Sequence, residues 1–192
     1  MCLVEHTISS PLALEICGVS KAYGTHFAVR DLELAVRQRE VLTIFGPNGS
    51  GKTTLLKLAA TLLRPTDGII RIMGLDTRLQ APYTRRFLGF LSHRTILYED
   101  LTIAENLRFY SRMFELDRSW ERITELADDL GLTEHLDHRV RTLSHGMRQR
   151  CSIARTLLHY PAVLLLDEPE TGLDQTALGL LDRLLEKHCL QG

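Results

Sequence analysis

The sequence predicts an α/β fold with a parallel sheet core, antiparallel N-terminal strands and an inserted helical segment at about residues 93–140. Two observations predict this fold. An apolar run, Val41–Phe45, leads into the glycine-rich loop Gly46–Gly51 and then into a helical pattern. A second helical pattern, Met147–Leu158, is followed by a turn and the apolar run Val163–Leu166. A helical crossover between strands favours a parallel sheet.

The N-terminal strands and the first helix follow from hydrophobic periodicity. Leu12–Ile16 and Phe27–Val36 alternate apolar and polar residues, which is the period of half-exposed strands. Val41–Phe45 is apolar almost throughout, as a strand covered on both faces would be. After Lys52, apolar residues recur at helical spacing until Arg64-Pro65, which is expected to end the helix.

The middle third of the chain has helical patterns. Thr102–Glu105 forms a capping box, and a helical pattern continues from it through Phe114. Ser119 is placed to cap a second helix, and Gly131 stands where a left-handed C-terminal cap belongs. The apolar face of this second helix comprises Ile123, Leu126, Ala127 and Leu130. A last helix is predicted over Thr176–Cys189.

Composition and charge exclude several classes of protein. Of the 192 residues, 44% are hydrophobic and 24% charged, which is the balance of an ordinary folded domain rather than of a disordered chain. The formal net charge is -1 without a long block of like charge, so duplex nucleic acid is not expected as a partner. No apolar run approaches the roughly 20 residues that cross a bilayer. The first residues lack the pattern of a secretory signal, so we expect a site of action in the cytosol.

The glycine-rich loop matches a phosphate-binding pattern in every fixed position. Gly46, Gly51, Lys52 and Thr53 occupy the fixed places of that pattern. Such a loop lets several backbone N–H groups converge on a polyphosphate, and the following helix adds its positive dipole end. Lys52 would add a full charge at the β and γ phosphates, and the Thr53 hydroxyl can ligate Mg²⁺. The predicted nucleotide contacts are Gly46, Pro47, Asn48, Gly49, Ser50, Gly51, Lys52, Thr53 and Thr54.

An acidic pair follows the other apolar run. Asp167 and Glu168 come directly after Val163–Leu166. Asp167 would hold Mg²⁺ through water, and Glu168 is placed to polarise a water that attacks the γ phosphate. Two carboxylates after a strand are also an ordinary solvated strand end. The presence of this pair together with the glycine-rich loop in one chain favours the catalytic interpretation.

Together these motifs resemble the ATP-binding subunits of ABC (ATP-binding cassette) transporters over nearly the whole chain. Leu143–Met147 stands where that family has its signature sequence, and Thr171–Asp174 matches its D-loop. The resemblance implies that Tyr23 stacks on adenine. It also implies that Ser144 and Gly146 bind the γ phosphate held by a second subunit. Without the resemblance, Ser144 is an ordinary helix cap and Tyr23 a half-buried strand aromatic.

The sequence departs from the family pattern at three places. It keeps the family's residue at Asp174 in the D-loop, which the resemblance implies contributes to nucleotide binding. His93 stands at the Q-loop, where the family has a glutamine that ligates Mg²⁺. The resemblance implies a metal-binding and catalytic role for His93, and an uninvolved loop histidine is the alternative. In the signature, His145 and Met147 replace a glycine and a glutamine. The chain stops at Gly192, before the family's switch histidine, so we expect a cassette truncated at its C-terminal end.

The resemblance also implies an architecture and partners. It implies one ATP-binding domain over residues 1–192, with an α/β core at 1–92 and 141–192 and a helical subdomain at 93–140. ATP and Mg²⁺ are the implied ligands. The implied partners are a second ATP-binding subunit, arranged head to tail, and transmembrane permease subunits that contact the segment Ile96–Tyr110. Through these permeases the protein would lie at the cytoplasmic face of the membrane.

Within the family, three segments look most like the haem exporter ATP-binding subunits of cytochrome c maturation. These segments are Leu88–Arg94, Leu97–Thr102 and Glu105–Tyr110. The leading prediction is therefore an export ATPase, with haem as the cargo. Two other functions stay open: a soluble cassette ATPase that acts on ribosomes or DNA, and a non-catalytic remnant that only binds nucleotide.

Overall fold

The computed structural model describes residues 11–92, 95–171, 173 and 175–191, without the side chains of residues 176 and 188–191. Its contacts divide the chain into two units, Met1–Thr84 and Arg85–Gly192. His93 and Asp174, two of the predicted site residues, lie outside the described residues. No helix in the described stretches combines the length and the apolar composition needed to cross a membrane. The division into a core and a helical subdomain at residues 93 and 140 stays a prediction.

The first unit is built on an antiparallel sheet. Its strands are β1 (Leu12–Tyr23), β2 (His26–Arg37), β3 (Asp67–Ile72) and β4 (Leu75–Asp76), in the spatial order β2-β1-β3-β4. Both predicted N-terminal strands are confirmed. Each is longer than its alternating segment, because bulges in the pairing of β1 with β2 let the hairpin continue past irregular stretches. The sheet buries Ile16, Val19, Ile70 and Ile72.

Two helices accompany this sheet. α1 (Lys52–Ala59) follows the glycine-rich loop, and α2 (Ala81–Thr84) is a single turn. The start of α1 is confirmed, but its predicted end at Arg64-Pro65 is wrong. The helix stops earlier because Thr61 adopts a left-handed backbone, with a φ of 60°, which a right-handed helix cannot include.

The predicted strand at Val41–Phe45 is wrong. The run pairs with no strand in the described part of the chain, and the exposed fraction of Phe45 is 89%. The hairpin ends just before it, at a turn where Arg39 has a φ of 65° and the Glu40 carboxylate accepts a hydrogen bond from the Arg37 N–H. Apolar composition gives a segment strand propensity, but a strand also needs a neighbouring strand to hydrogen-bond with. At this turn the chain leaves the sheet that contains β1 and β2, so Val41–Phe45 has no such neighbour among the residues that the structure describes.

The second unit combines a parallel pair of strands with helices. β5 (Leu88–Leu91) pairs in parallel with β6 (Val163–Leu166). The helices of this unit include α3 (Ile103–Met113), α4 (Ser119–Asp129), α5 (His145–Leu157) and α6 (Gln175–Gln191). The predicted fold class is confirmed, since antiparallel N-terminal strands, parallel core strands and inserted helices are all present.

The helical insert follows its local sequence signals at most positions. The capping box is confirmed: Thr102 Oγ1 accepts from the Glu105 N–H at 3.1 Å, and the Glu105 carboxylate accepts from the Thr102 N–H at 2.8 Å. Gly131 takes the predicted left-handed cap, with a φ of 61°. The prediction that Ser119 caps α4 is wrong, because Ser119 is already helical and Arg118 precedes it without a side-chain cap. The predicted apolar face of α4 is buried: Ile123, Leu126, Ala127 and Leu130.

Candidate functional site

The glycine-rich loop forms an exposed turn that leads into α1. Residues 46–50 are exposed, and the Ser50 N–H donates to the Pro47 carbonyl at 3.2 Å. Because α1 begins at Lys52, the N–H groups of its first turn have no acceptor within the helix. The end of the helix therefore offers backbone donors beside an exposed loop, which is the arrangement that binds phosphate groups.

At Gly51 the loop leaves no room for a side chain. Its φ is 92°, and a Cβ there would collide with the carbonyl oxygen of Ala28 in β2. The loop therefore packs directly against the main chain of the β1–β2 hairpin. Any larger residue would push the start of α1 away from the hairpin.

The ammonium group of Lys52 is folded back over the loop. Its Nζ lies 2.6 Å from the Gly46 carbonyl oxygen and 2.9 Å from that of Pro47. Both acceptors are neutral, so they hold the positive charge in place without cancelling it. A phosphate group that entered the loop would replace them with anionic oxygens, which form stronger, charge-assisted hydrogen bonds.

Tyr23 ends β1 at the turn that joins it to β2. Its side chain is about half exposed, and Lys21 Nζ lies 5.3 Å from the centre of the ring. Tyr23 pairs with His26 across the turn, and Ala28, against which Gly51 packs, lies two residues further along β2. The structure thus brings Tyr23 and the start of α1 to the same end of one hairpin, with the ring accessible for stacking.

The acidic pair lies in the second unit, directly after β6. The Asp167 N–H donates to the Leu91 carbonyl at 3.0 Å, which extends the parallel ladder by one bond and fixes the position of Asp167. Glu168 is exposed and has a φ of 52°, although the proline that follows restricts it to extended conformations. A strained backbone of this kind costs about 1–3 kcal/mol and persists only where its surroundings enforce it.

Two hydrogen bonds hold the turn that carries Glu168. The Thr171 N–H donates to the Glu168 carbonyl at 3.1 Å. From α5, Gln149 Nε2 donates to the Pro169 carbonyl at 3.2 Å, and only 5% of Gln149 is exposed. No motif in the sequence points to Gln149. The signal that could have found it is a long polar residue on the buried face of a helix.

Ser144 stands at the N-terminal end of α5. Its Oγ accepts from the Met147 N–H at 3.3 Å, which confirms the interpretation as a helix cap. Ser144 and His145 are both exposed. The hydroxyl hydrogen of Ser144 and the N–H groups of His145 and Gly146, which have no acceptor within α5, are donors at this helix end. A role for Ser144 and Gly146 toward a second subunit's nucleotide stays a prediction.

A buried amide in α3 shapes the loop that precedes this helix. Asn106 is fully buried, and its Oδ1 accepts from the Tyr98 N–H at 2.8 Å. Its Nδ2 donates to the carbonyls of Tyr98 at 3.0 Å and Thr102 at 2.9 Å. The Tyr110 hydroxyl donates to the Ile96 carbonyl at 2.7 Å. α3 therefore fixes the backbone of the loop from within the protein.

Exposed apolar side chains gather on this loop and on α3. The Tyr98 and Phe109 rings meet edge to face, with their centres 5.0 Å apart. Met113 follows Phe109 by one helical turn, and Ile96 lies two residues before Tyr98. We call these four residues, which are 38–63% exposed, the α3 patch. Grouped apolar exposure of this kind marks interaction surfaces.

Each of the two units carries an oxygen donor of the kind that Mg²⁺ prefers. Thr53 lies exposed in the first turn of α1, and Asp167 follows β6. Hydroxyl and carboxylate oxygens are the donors that Mg²⁺ prefers, and this ion usually combines one or two protein carboxylates with phosphate oxygens and water. No cluster of three or more His, Cys, Asp or Glu side chains among the described residues could hold a metal by itself.

The α/β fold and the loop around Lys52 define the class of P-loop nucleotide-binding proteins. The chain belongs to the ABC transporter family, whose model matches residues 29–171. ATP with Mg²⁺ is the ligand pair that this family's fold binds. The ABC-type P-loop NTPase fold predicted from the sequence is therefore confirmed.

Comparison with individual proteins gives relatives among transporter subunits. The ABC transporter ATP-binding protein NatA of Bacillus subtilis is 39% identical over 163 residues, which cover 83% of this chain and 66% of NatA. The daunorubicin/doxorubicin resistance ATP-binding protein DrrA of Streptomyces peucetius is 40% identical over 164 residues, which cover 84% of this chain and 50% of DrrA. This chain thus spans between half and two thirds of the length of these relatives.

A solved structure extends the comparison. It is a dimeric ATP-binding cassette in a post-hydrolysis state, bound to ADP and Pi. The TM-score is 0.83 at 28% sequence identity, and the match covers 92% of this chain and 82% of the solved one. The fold of this chain is thus that of a nucleotide-binding cassette.

Proposed function

We propose that this chain is the ATP-binding and ATP-hydrolysing subunit of an ABC transporter. The observation that carries the proposal is the Lys52 ammonium, held over an exposed loop at the N-terminus of α1. A triphosphate fits this arrangement because its β and γ groups supply anionic oxygens to Lys52 and to the N–H groups of the first helical turn. Family membership supports ATP as the nucleotide.

The side chains divide the work of hydrolysis among them. Tyr23 stacks on the base, which positions the nucleotide on the hairpin. Thr53 and Asp167 hold Mg²⁺, whose charge offsets the charge that develops on the phosphates during transfer. Glu168 orients the attacking water and accepts its proton. The described geometry supports these roles separately in each unit.

A second cassette completes the site in this proposal. Ser144 and Gly146 lie at a helix end whose first N–H groups have no acceptor within the helix, which suits a γ phosphate bound to the loop of a partner arranged head to tail. The dimeric state of the solved cassette supports such a pairing. His93 and Asp174 keep their predicted roles at the Q-loop and D-loop, and they stay predictions.

The membrane partner is proposed to dock on the α3 patch. This surface is apolar and aromatic, and the buried Asn106 amide holds its loop in one conformation. A preformed surface loses little conformational entropy on binding, which favours a stable contact with a permease. The protein would then lie at the cytoplasmic face of the membrane through its partners.

We propose that the transporter exports its cargo, without assigning the cargo's identity. DrrA is named for resistance to daunorubicin and doxorubicin, which supports export as the direction of transport. Haem as the specific cargo stays a prediction that rests on the resemblance of Leu88–Arg94 and its neighbouring segments. Neither NatA nor DrrA is named as a haem exporter.

Phosphate release from Mg-ATP tests the proposal. We expect the chain to hydrolyse ATP and Glu168→Gln to hydrolyse it at least about 100-fold more slowly, the range lost with a general base. The variant should still bind ATP. Equal background rates in both proteins would contradict hydrolysis and favour the non-catalytic remnant. Recovery from cells in the soluble fraction together with ribosomes, rather than with membranes, would favour the soluble cassette ATPase.

A further inference from the structure

A buried amide ties α5 to the turn that carries the acidic pair. Gln149 is 5% exposed, and its Nε2 donates to the Pro169 carbonyl at 3.2 Å, twenty residues further along the chain. The bond therefore joins two elements that are distant in sequence. Its acceptor belongs to the residue that directly follows Glu168.

The backbone of this turn needs support from outside. Glu168 has a φ of 52°, a conformation that residues with a side chain rarely adopt, least of all before a proline. Pro169 has no N–H, so it cannot help to anchor the turn through a backbone donor. The Asp167 N–H anchors the start of the turn to Leu91, and the Thr171 N–H closes it onto Glu168.

We propose that Gln149 is a positioning residue for Glu168. By holding the Pro169 carbonyl, its amide keeps Glu168 in the left-handed backbone and so fixes the direction in which the carboxylate leaves the main chain. The inference rests on the proposed function, since it assigns Glu168 the orientation of the attacking water. Gln149 acts through the turn rather than on the nucleotide.

The chemistry of the contact explains the choice of side chain. The donor has to reach the carbonyl from the buried face of a helix, which requires a long side chain. A lysine would bury a charge opposite a neutral acceptor, and a glutamate would place an oxygen against an oxygen. A methionine has similar length and volume but offers no hydrogen. Only the neutral amide combines reach with a donor.

The experiment compares two donor-free variants, Gln149→Met and Gln149→Leu, with the matched control Ser152→Ala. Ser152 lies buried in the same helix, and its hydroxyl has no hydrogen-bond partner within the described residues. Measured on the full chain, kcat for ATP should fall about ten- to 100-fold in both Gln149 variants, the cost of a misplaced catalytic group. KM should change less than about twofold, because ground-state binding is untouched. Ser152→Ala should match the unmodified chain.

Hydrogen exchange gives a second measurement that does not depend on activity. The amides of residues 167, 168, 170 and 171 should exchange faster in Gln149→Met and at an unchanged rate in Ser152→Ala. A folded Gln149→Met with normal kcat and normal exchange at 167–171 would overturn the inference. If Gln149→Met fails to fold, Gln149→Leu, which is also apolar and offers no donor, gives the same comparison; failure of both would overturn it. Absence of Glu168-dependent hydrolysis in the unmodified chain would instead refute the proposed function, and exchange at 167–171 would still decide whether Gln149 holds the turn.

Discussion

Replacing Asn106 by leucine should destabilise the second unit strongly. The buried amide makes three short hydrogen bonds to the loop before α3, two with the backbone of Tyr98 and one with the carbonyl of Thr102. Leucine has a similar branched shape, so it fills the site without bridging it. The substitution therefore isolates the hydrogen bonds from the packing.

The structure sets the size of the effect. Each hydrogen bond of this kind contributes a net stabilisation of about 1 kcal/mol, so the loss of three should lower the free energy of unfolding by about 3 kcal/mol. For a chain of 192 residues, this corresponds to a fall in Tm of roughly 6–12 °C. The loop is partly exposed, and water can satisfy some of the released groups, which keeps the loss near this value rather than above it.

Urea and thermal unfolding measure the change, with Ser111→Ala as the matched control. Ser111 lies in the same helix and is buried, but its hydroxyl has no hydrogen-bond partner among the described residues. The control should therefore stay within about 0.5 kcal/mol of the unmodified chain, as substitutions that break no specific interaction do. Hydrogen exchange should also show the Tyr98 amide released in Asn106→Leu alone. Equal stability of the two variants would refute the reasoning.

Three further predictions concern the backbone, a thiol and a carboxylate. Gly51→Ala should abolish the calorimetric signal of Mg-ATP binding, because its Cβ collides with the Ala28 carbonyl; full binding would contradict the packing described. Burial raises the pKa of the Cys151 thiol to about 12, so iodoacetamide at mildly alkaline pH should label Cys151 only after unfolding, as mass spectrometry can show. The hydrogen bond from Arg122 lowers the pKa of Glu125. The Glu125 carboxylate therefore contributes its full stabilisation above the ordinary pKa of 4.5, and this stabilisation is lost as the pH falls through the lowered pKa. The free energy of unfolding should therefore fall less steeply at acidic pH in Glu125→Gln than in the unmodified chain. An unchanged pH dependence in the variant would count against the ion pair.

The helical insert could be predicted because its signals are local. The capping box joins residues three apart, and the apolar face of α4 repeats at the helical period, so both are legible without knowledge of the rest of the fold. The loop around Lys52 could be predicted for the same reason, since its residues recur at a fixed spacing within one short segment.

The missed features depend on contacts between distant segments. Val41–Phe45 has the composition of a strand, but the turn at Arg37 takes it away from the sheet edge. Asn106 and Gln149 lie on buried helix faces. There the sequence shows that a polar residue interrupts the apolar pattern, but it does not show which group that residue hydrogen-bonds. The strained backbone of Glu168 is invisible for the same reason, because its support comes from α5.

Calorimetric titration with Mg-ATP tests the central claim that the loop around Lys52 binds a nucleotide. It compares the unmodified chain with Lys52→Ala and with the matched control Lys57→Ala, an exposed lysine in the same helix. The unmodified chain and the control should bind one nucleotide each, and Lys52→Ala should bind at least about tenfold more weakly, a loss of about 1.4 kcal/mol. A folded, unmodified chain that gives no heat of binding, or a Lys52→Ala variant that binds as tightly as the control, would contradict the claim.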